Sequence, residues 1–225
     1  MTLTKFEQSG FILETERGLR VAIDIGNRTP LEKLEGISPV DLFVISHIHG
    51  DHFSPDHIKK LFPATAILPK ECYDVLNPAS MKLPVGATIA HEGTHPKMKA
   101  DFIISGEGFV YENDAIKMSF FHVDHGPNVS VPVDNYGFLI EADGKTVYFA
   151  GDMFYPSGID VSGLEVDYAL IPVGTFYTFG PEEALAFAKR FKSIRNLVPM
   201  HDRGEPEHTQ QFIELAGKDF NVVVM

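Results

Sequence analysis

Between residues 46 and 52 the chain reads Ser46-His47-Ile48-His49-Gly50-Asp51-His52. Three imidazoles and a carboxylate fall within six positions, directly after the apolar run Asp41-Leu42-Phe43-Val44-Ile45. At an extended strand end His47 and His49 share a side, because side chains alternate with period two. A turn at Gly50 then folds Asp51 and His52 back over the same space. Imidazole and carboxylate are ligands that suit zinc, manganese and iron. So many titratable groups repel one another once protonated, and a metal ion relieves that conflict. The alternative is a solvated polar loop that happens to hold three histidines.

One loop does not supply enough ligands, so isolated His or Asp residues at later strand ends become candidates. Three stand just past apolar runs: His125 in Phe121-His122-Val123-Asp124-His125-Gly126, Asp152 in Ala150-Gly151-Asp152, and His201 in Val198-Pro199-Met200-His201. Open α/β sheets gather their chemistry at such strand ends. His122 competes with His125. On a strand, His122 and Asp124 point to one side and His125 to the other, so the two histidines do not both bind. Asp24, before Gly26, either caps a turn or supports the metal loop. His57 reads as a surface residue of a short helix. His91, His95 and His208 read as loop residues, with contact to a substrate as the minor alternative for each. Tyr177, Thr178 and Phe179 are expected to border the pocket, as packing or as specificity residues. Cys72 reads as a small buried hydrophobe.

The elements that must position these groups follow from local pattern. Gly10–Thr15 and Leu19–Asp24 flank a Glu16-Arg17-Gly18 turn, as a hairpin does. Leu42–Ile45 is apolar on both faces, as a buried central strand is. Pro55–Phe62 predicts a short helix with Ser54 as N-cap and Pro55 in first position. Ala66–Leu68 predicts a strand. The second half repeats the plan. A strand is expected within 116–123. Tyr136–Glu141 and Thr146–Ala150 flank Asp143-Gly144, a strong hairpin turn. Strands at Tyr168–Val173 and Asn196–Met200, helices at Pro181–Phe191 and Thr209–Ala216 (closed by Gly217), and a last strand at Val222–Val224 complete the reading. No linker divides the halves, and the stretch Asp101–Asn113 reads as too short to be a boundary, so residues 1–225 are expected to form one domain.

The bulk composition narrows the function classes. A chain of 225 residues supports one well-filled core. The net charge of −12 argues against broad docking on nucleic acid or anionic membranes, which rests on Lys and Arg neutralising phosphates. A single cysteine excludes an intrachain disulfide and a cysteine-based zinc site, and suits a reducing cytoplasm. No apolar run approaches the ~18 residues of a membrane helix, and the N-terminus lacks the apolar segment of a signal peptide.

Taken in order, Asp24, His47-x-His49-x-Asp51-His52, His125, Gly151-Asp152 and His201 resemble the metallo-β-lactamase fold hydrolases over nearly the whole chain. The resemblance implies an α/β (α+β) fold, a four-layer αββα sandwich of two similar halves with two divalent metals at one edge. It implies His47, His49 and His125 as ligands of the first metal, and Asp51, His52 and His201 as ligands of the second. Asp152 becomes the bridging carboxylate, Asp24 the buried acid behind the metal loop, and His125 is preferred to His122. The segments Val166–Gly174, Pro181–Ala184 and Val198–His201 are similar to the ascorbate-phosphate lactonase branch and its metal-dependent hydrolases. Val123–Gly126 is similar to the ribonucleases of the same fold, but no stretch of these 225 residues is expected to form their nucleic-acid-clamping domain. His49 stands where flavo-diiron relatives carry Glu.

Zinc is the metal first expected, with manganese, iron or nickel as alternatives. Two such ions about 3.5–4 Å apart share a water and lower its pKa toward ~7. Asp51 is the expected catalytic group, accepting or relaying that water's proton. The expected activity is hydrolysis of a small-molecule ester, lactone or phosphodiester, with a homo-oligomer as a candidate assembly. The rival readings are a nuclease or RNA-processing enzyme, and a non-catalytic metal-binding protein.

Overall fold

The structure, a computed structural model, describes residues 1–37, 39–76, 88–89, 100–104 and 108–225. His91 and His95 lie outside the described residues. The chain divides into two compact units, Met1–Gly106 and Glu107–Met225.

The first unit is a mixed sheet with helices. Its strands are β1 (Thr2–Lys5), β2 (Phe11–Glu14), β3 (Arg20–Ile23) and β4 (Leu42–Val44), then helix α1 (Pro55–Leu61), β5 (Thr65–Pro69), α2 (Lys70–Leu76), β6 (Thr88–Ile89) and β7 (Ala100–Ile104). Their order across the sheet is β1-β2-β3-β4-β5-β7-β6. The expected first hairpin is present: β2 and β3 are antiparallel, and Gly18 turns the chain at φ 80°, where a side chain would be strained. β3, β4 and β5 then run parallel. β4 is buried along its whole length, as its two-sided apolar pattern requires. Ile12, Ala22, Phe43, Ile45, Ala66 and Leu68 build one core with Ile58 and Leu61 of α1 and Cys72, Tyr73 and Leu76 of α2. Cys72 is thus the small buried hydrophobe expected.

The second unit shares the plan of antiparallel strands leading into parallel ones. It contains β8 (Val110–Glu112), β9 (Lys117–His122), β10 (Tyr136–Ala142), β11 (Lys145–Phe149), β12 (Glu165–Pro172), α3 (Pro181–Ala188), β13 (Ser193–Met200) and α4 (Pro206–Ala216). The sheet order is β13-β12-β11-β10-β9-β8. β10 and β11 form the expected hairpin, with Asp143 at φ 53° and Gly144 at φ 69°. Two successive positive φ values match the twist of the flanking strands. β11, β12 and β13 are parallel. α3 packs on β12 and α4, and α4 on β13.

Several expectations change. Val222–Val224 is not a strand; only Val222 bridges to Leu197. α4 begins at Pro206 rather than Thr209, because Pro suits a first helical turn. Ser54 occupies the N-cap of α1 but makes no side-chain cap bond; its hydroxyl pairs with His57 Nδ1 at 2.9 Å. His57 is buried, not a surface residue. Its Nε2 donates to the Thr29 carbonyl at 2.7 Å, tying the segment after β3 to α1. Among the described residues no helix is long and apolar enough to cross a membrane.

His57→Phe keeps the ring and removes both nitrogens. The Thr29 carbonyl then loses its donor, which costs about 1–3 kcal/mol when buried. Urea unfolding is expected to show that loss with metal content unchanged; equal midpoints would show that the pairing contributes nothing.

Candidate metal centre

Asp24 and each of the expected metal ligands lie in a segment that follows a strand. Asp24 follows β3, and the His47–His52 loop leaves β4 through Ile45 and Ser46. Ile48 and Phe53 anchor that loop in the first unit's core, which turns His47 and His49 the other way. His52 N and Phe53 N both donate to the His49 carbonyl, closing a tight turn at 2.9 and 2.8 Å. Gly26 makes room for it. A Cβ there would stand 2.2 Å from the Asp51 carbonyl carbon.

Asp24 is wholly buried and organises the loop. Its Oδ1 accepts from Ser46 N at 2.7 Å. Its Oδ2 accepts from Ser46 Oγ at 2.5 Å and from His52 Nδ1 at 2.8 Å. Ser46 Oγ in turn lies 2.9 Å from His47 Nδ1. Since the hydroxyl donates to Asp24, it accepts from His47. One carboxylate therefore sets the tautomer of two imidazoles, with Nδ1 protonated and Nε2 left as the donor atom to a cation. Burial pushes the Asp24 carboxyl above its usual range, while the His52 imidazole and the Ser46 hydrogen bonds pull it back. Support of the loop, rather than a turn cap, is what the Asp24 side chain does.

The second unit holds the other group. His125 and Asp152 are buried, and His201 is buried at the end of β13. Asp152 Oδ2 lies 3.5 Å from His125 Nε2 and 3.2 Å from His201 Nε2. His125 Nδ1 donates to the Tyr177 carbonyl at 3.1 Å, again directing Nε2 inward. His122 is exposed and packs its ring edge against Tyr136, whereas His125 joins the cluster. His208 is not the loop residue expected: α4 starts at Pro206 and places it on its first turn, 3.5 Å from Glu205. Thr178 and Phe179 are buried, with Phe179 packed on Phe187. Tyr177 is exposed and lends its backbone to His125.

Two contributors escaped the sequence reading. Ser46 links Asp24 to His47. Asn135, fully buried before β10, donates from Nδ2 to the Asp152 carbonyl at 2.9 Å. Its own carbonyl accepts from Val123 N at 2.9 Å, on the chain leading to His125. Asn135 thereby sets His125 and Asp152 relative to each other. An Asn just before a strand carries no local sign of this role.

The donor set fits metal ions. Two ligands each about 2.0–2.1 Å from a tetrahedral zinc ion stand roughly 3.4 Å apart. His47 Nε2 and His49 Nδ1 are 3.0 Å apart, and His52 Nε2 and Asp51 Oδ2 are 3.8 Å apart. With the two Asp152 distances, all four spacings bracket that figure. Each of His47, His52 and His125 also has its other nitrogen fixed by the protein.

Comparison with known proteins agrees. Residues 2–201 match the β-lactamase superfamily domain. A UPF0173 metal-dependent hydrolase of a Geobacillus species is 30% identical, over 96% of this chain and 92% of that protein. One from Korarchaeum cryptofilum is 28% identical, over 99% and 95%. Among solved structures, the metallo hydrolase Igni18 of Ignicoccus hospitalis aligns with a TM-score of 0.67 and 25% identity, covering 99% of this chain and 94% of that one. The chain has the metallo-β-lactamase fold expected of it, mixed α/β with two sheets and four helices among the described residues. It belongs to the metal-dependent hydrolases of the metallo-β-lactamase superfamily.

Asn135→Leu keeps volume and removes the donor to Asp152. Loss of such an outer support weakens metal binding ~10–100-fold. Competition with a chromogenic chelator is expected to show this, and His122→Ala should bind metal like the parent. If Asn135→Leu bound metal normally, its amide would only fill space.

Proposed function

We propose that the whole chain acts as one catalytic domain in which the two clusters complete a two-metal hydrolytic centre. In this reading His47, His49 and His125 would hold one ion, Asp51, His52 and His201 the other, and Asp152 would serve both. The carrying observation is Asp152, whose Oδ2 is set at 3.5 and 3.2 Å from His125 and His201, the spacing of donors that share cations. Paired divalent ions, zinc first among them, supply an acidified water and polarise the bond under attack.

The protein's own groups do the rest. Asp24 and Ser46 hold His47 and His52 in one tautomer, so neither ring competes for the reacting proton. Asp51 is only half-buried. Its carboxylate can accept a proton and pass it to the leaving group or to solvent, which a sealed carboxylate could not do. Asn135 keeps the Asp152 backbone in place, so the developing charge meets fixed rather than reorganising groups.

The substrate we propose is a small-molecule ester, lactone or phosphodiester, the ascorbate-phosphate lactonase-like branch being favoured by the Val166–Gly174 and Val198–His201 segments. The charge of −12 supports a small molecule over a nucleic acid. The single buried thiol supports a reducing cytoplasm.

Elemental analysis of protein purified without chelator should approach two metal equivalents per chain, and a screen of small lactones, esters and phosphodiesters should give turnover with at least one. Two bound metals with no turnover across that screen would favour the metal-binding reading instead. Chelation should lower the melting temperature, since free metal at ~1,000 times its dissociation constant adds about 4 kcal/mol per site.

Asp51→Asn retains shape and loses charge and basicity. Turnover is expected to fall at least ~100-fold, in kcat more than in KM, with circular dichroism unchanged. Near-normal turnover with two metals bound would reduce Asp51 to a support.

A further inference from the structure

Eight non-glycine residues have positive φ among the described residues, and four of them sit in two loops of the second unit: Thr175, Phe176, His201 and Arg203. Such backbone costs about 1–3 kcal/mol per residue and persists where the surroundings over-determine it. A β-branched Thr and a bulky Phe are especially poor occupants. The surroundings are strict here. Phe179 N donates to Met153 O at 2.7 Å and Thr175 N to Phe179 O at 3.1 Å. A Cβ at Gly174 would stand 2.2 Å from the His201 carbonyl oxygen, so the two loops are pressed together.

That effort does not serve the core. It leaves Phe176 55% and Tyr177 37% exposed, edge to face at 4.7 Å between centroids. The Arg203 guanidinium lies over both rings, 5.8 and 5.2 Å from their centroids. The lip is wired to the site on both sides. Tyr177 O holds His125, and Arg203 follows His201 by two residues. In a chain of net charge −12, a cation is held on the loop that carries His201 and against the residue whose carbonyl holds His125. A guanidinium laid on aromatic faces has its plane set, and its edge suits the two oxygens of a carboxylate or phosphate. The ring faces suit a flat apolar group.

We propose that Phe176, Tyr177 and Arg203 form a recognition lip for a substrate that carries an anionic group, carboxylate or phosphate type, beside a flat apolar portion. This rests on the hydrolytic reading of the site and adds the substrate's charge and shape to it. Arg203 is the specificity-determining residue; Phe176 and Tyr177 orient it and stack on the ligand.

The test uses the metal-loaded full chain and three probes of similar size: benzoate, phenylphosphonate and neutral benzyl alcohol. Titration calorimetry should show at least one anion binding ~10-fold or more tighter than benzyl alcohol, and the better of the two identifies the anion type. Arg203→Ala should abolish that preference and Arg203→Lys should retain part of it, at unchanged metal content. Phe176→Ala should weaken all three probes. If Arg203→Ala fails to fold or loses metal, Arg203→Gln and Arg203→Lys carry the comparison. An anion preference that survives loss of the guanidinium would place the anion on the metals and overturn the proposal. So would the absence of any anion preference in the parent protein, and turnover of neutral esters would then still uphold the hydrolytic reading.

Discussion

The candidate centre depends on one buried carboxylate. Asp24 receives the Ser46 amide, the Ser46 hydroxyl and the His52 imidazole at 2.5–2.8 Å. A carboxylate taken out of water is costly unless paired and hydrogen-bonded. Here every bond that stabilises it also fixes a neighbour in the metal loop. Through Ser46 the same charge reaches His47. Two imidazoles are therefore committed to present Nε2 before any cation arrives, so binding a cation requires little further ordering. The left-handed backbone of Asp24, φ 45°, is part of this arrangement. The residue turns the chain away from β3 while its side chain reaches under the loop beyond β4.

The second unit solves the same problem with neutral partners. A backbone carbonyl, Tyr177 O, fixes His125, and a buried amide, Asn135, fixes the position of Asp152. The difference is physical. His52 leans directly on a carboxylate and His47 on a hydroxyl bound to that carboxylate, whereas His125 leans on a backbone dipole. Asp152 is already a charge, so it needs a positioning donor on its backbone rather than another anion nearby.

How much of this could be read in the sequence follows from how local each cause is. The hairpin at Asp143-Gly144 was evident because two adjacent residues determine it. The buried strand β4 was evident because its apolar run is continuous. The His47–His52 loop stands out because its residues are adjacent and chemically unusual. His57 misled because its partner, the Thr29 carbonyl, lies 28 positions away, and a His in the first turn of an amphipathic helix looks solvated. Asn135 and Ser46 were passed over for the same reason. Val222–Val224 has the β-branched composition of a strand, yet propensity matters only where a neighbour offers a ladder, and β13 takes up Val222 alone. β1 is the converse case. Thr2–Lys5 is half-exposed and unremarkable in sequence, and pairing with β2 makes it a strand.

These distinctions separate what the family fixes from what it leaves open. The candidate ligands follow strand ends, where hydrogen-bonded neighbouring strands fix the backbone that carries them. The Gly174–Gly180 and His201–Gly204 loops are held differently. They obey strained backbone angles and contacts with each other, and their Phe176, Tyr177 and Arg203 side chains face outward. A change of Phe176 or Arg203 would leave the strand ends untouched and alter what can approach them. Selection can therefore act on the loops without disturbing the ligands, which is how one site hosts unrelated substrates. It follows that membership of the family speaks for bond hydrolysis, while the charge and shape of the molecule hydrolysed must be sought in the residues that the fold itself does not require.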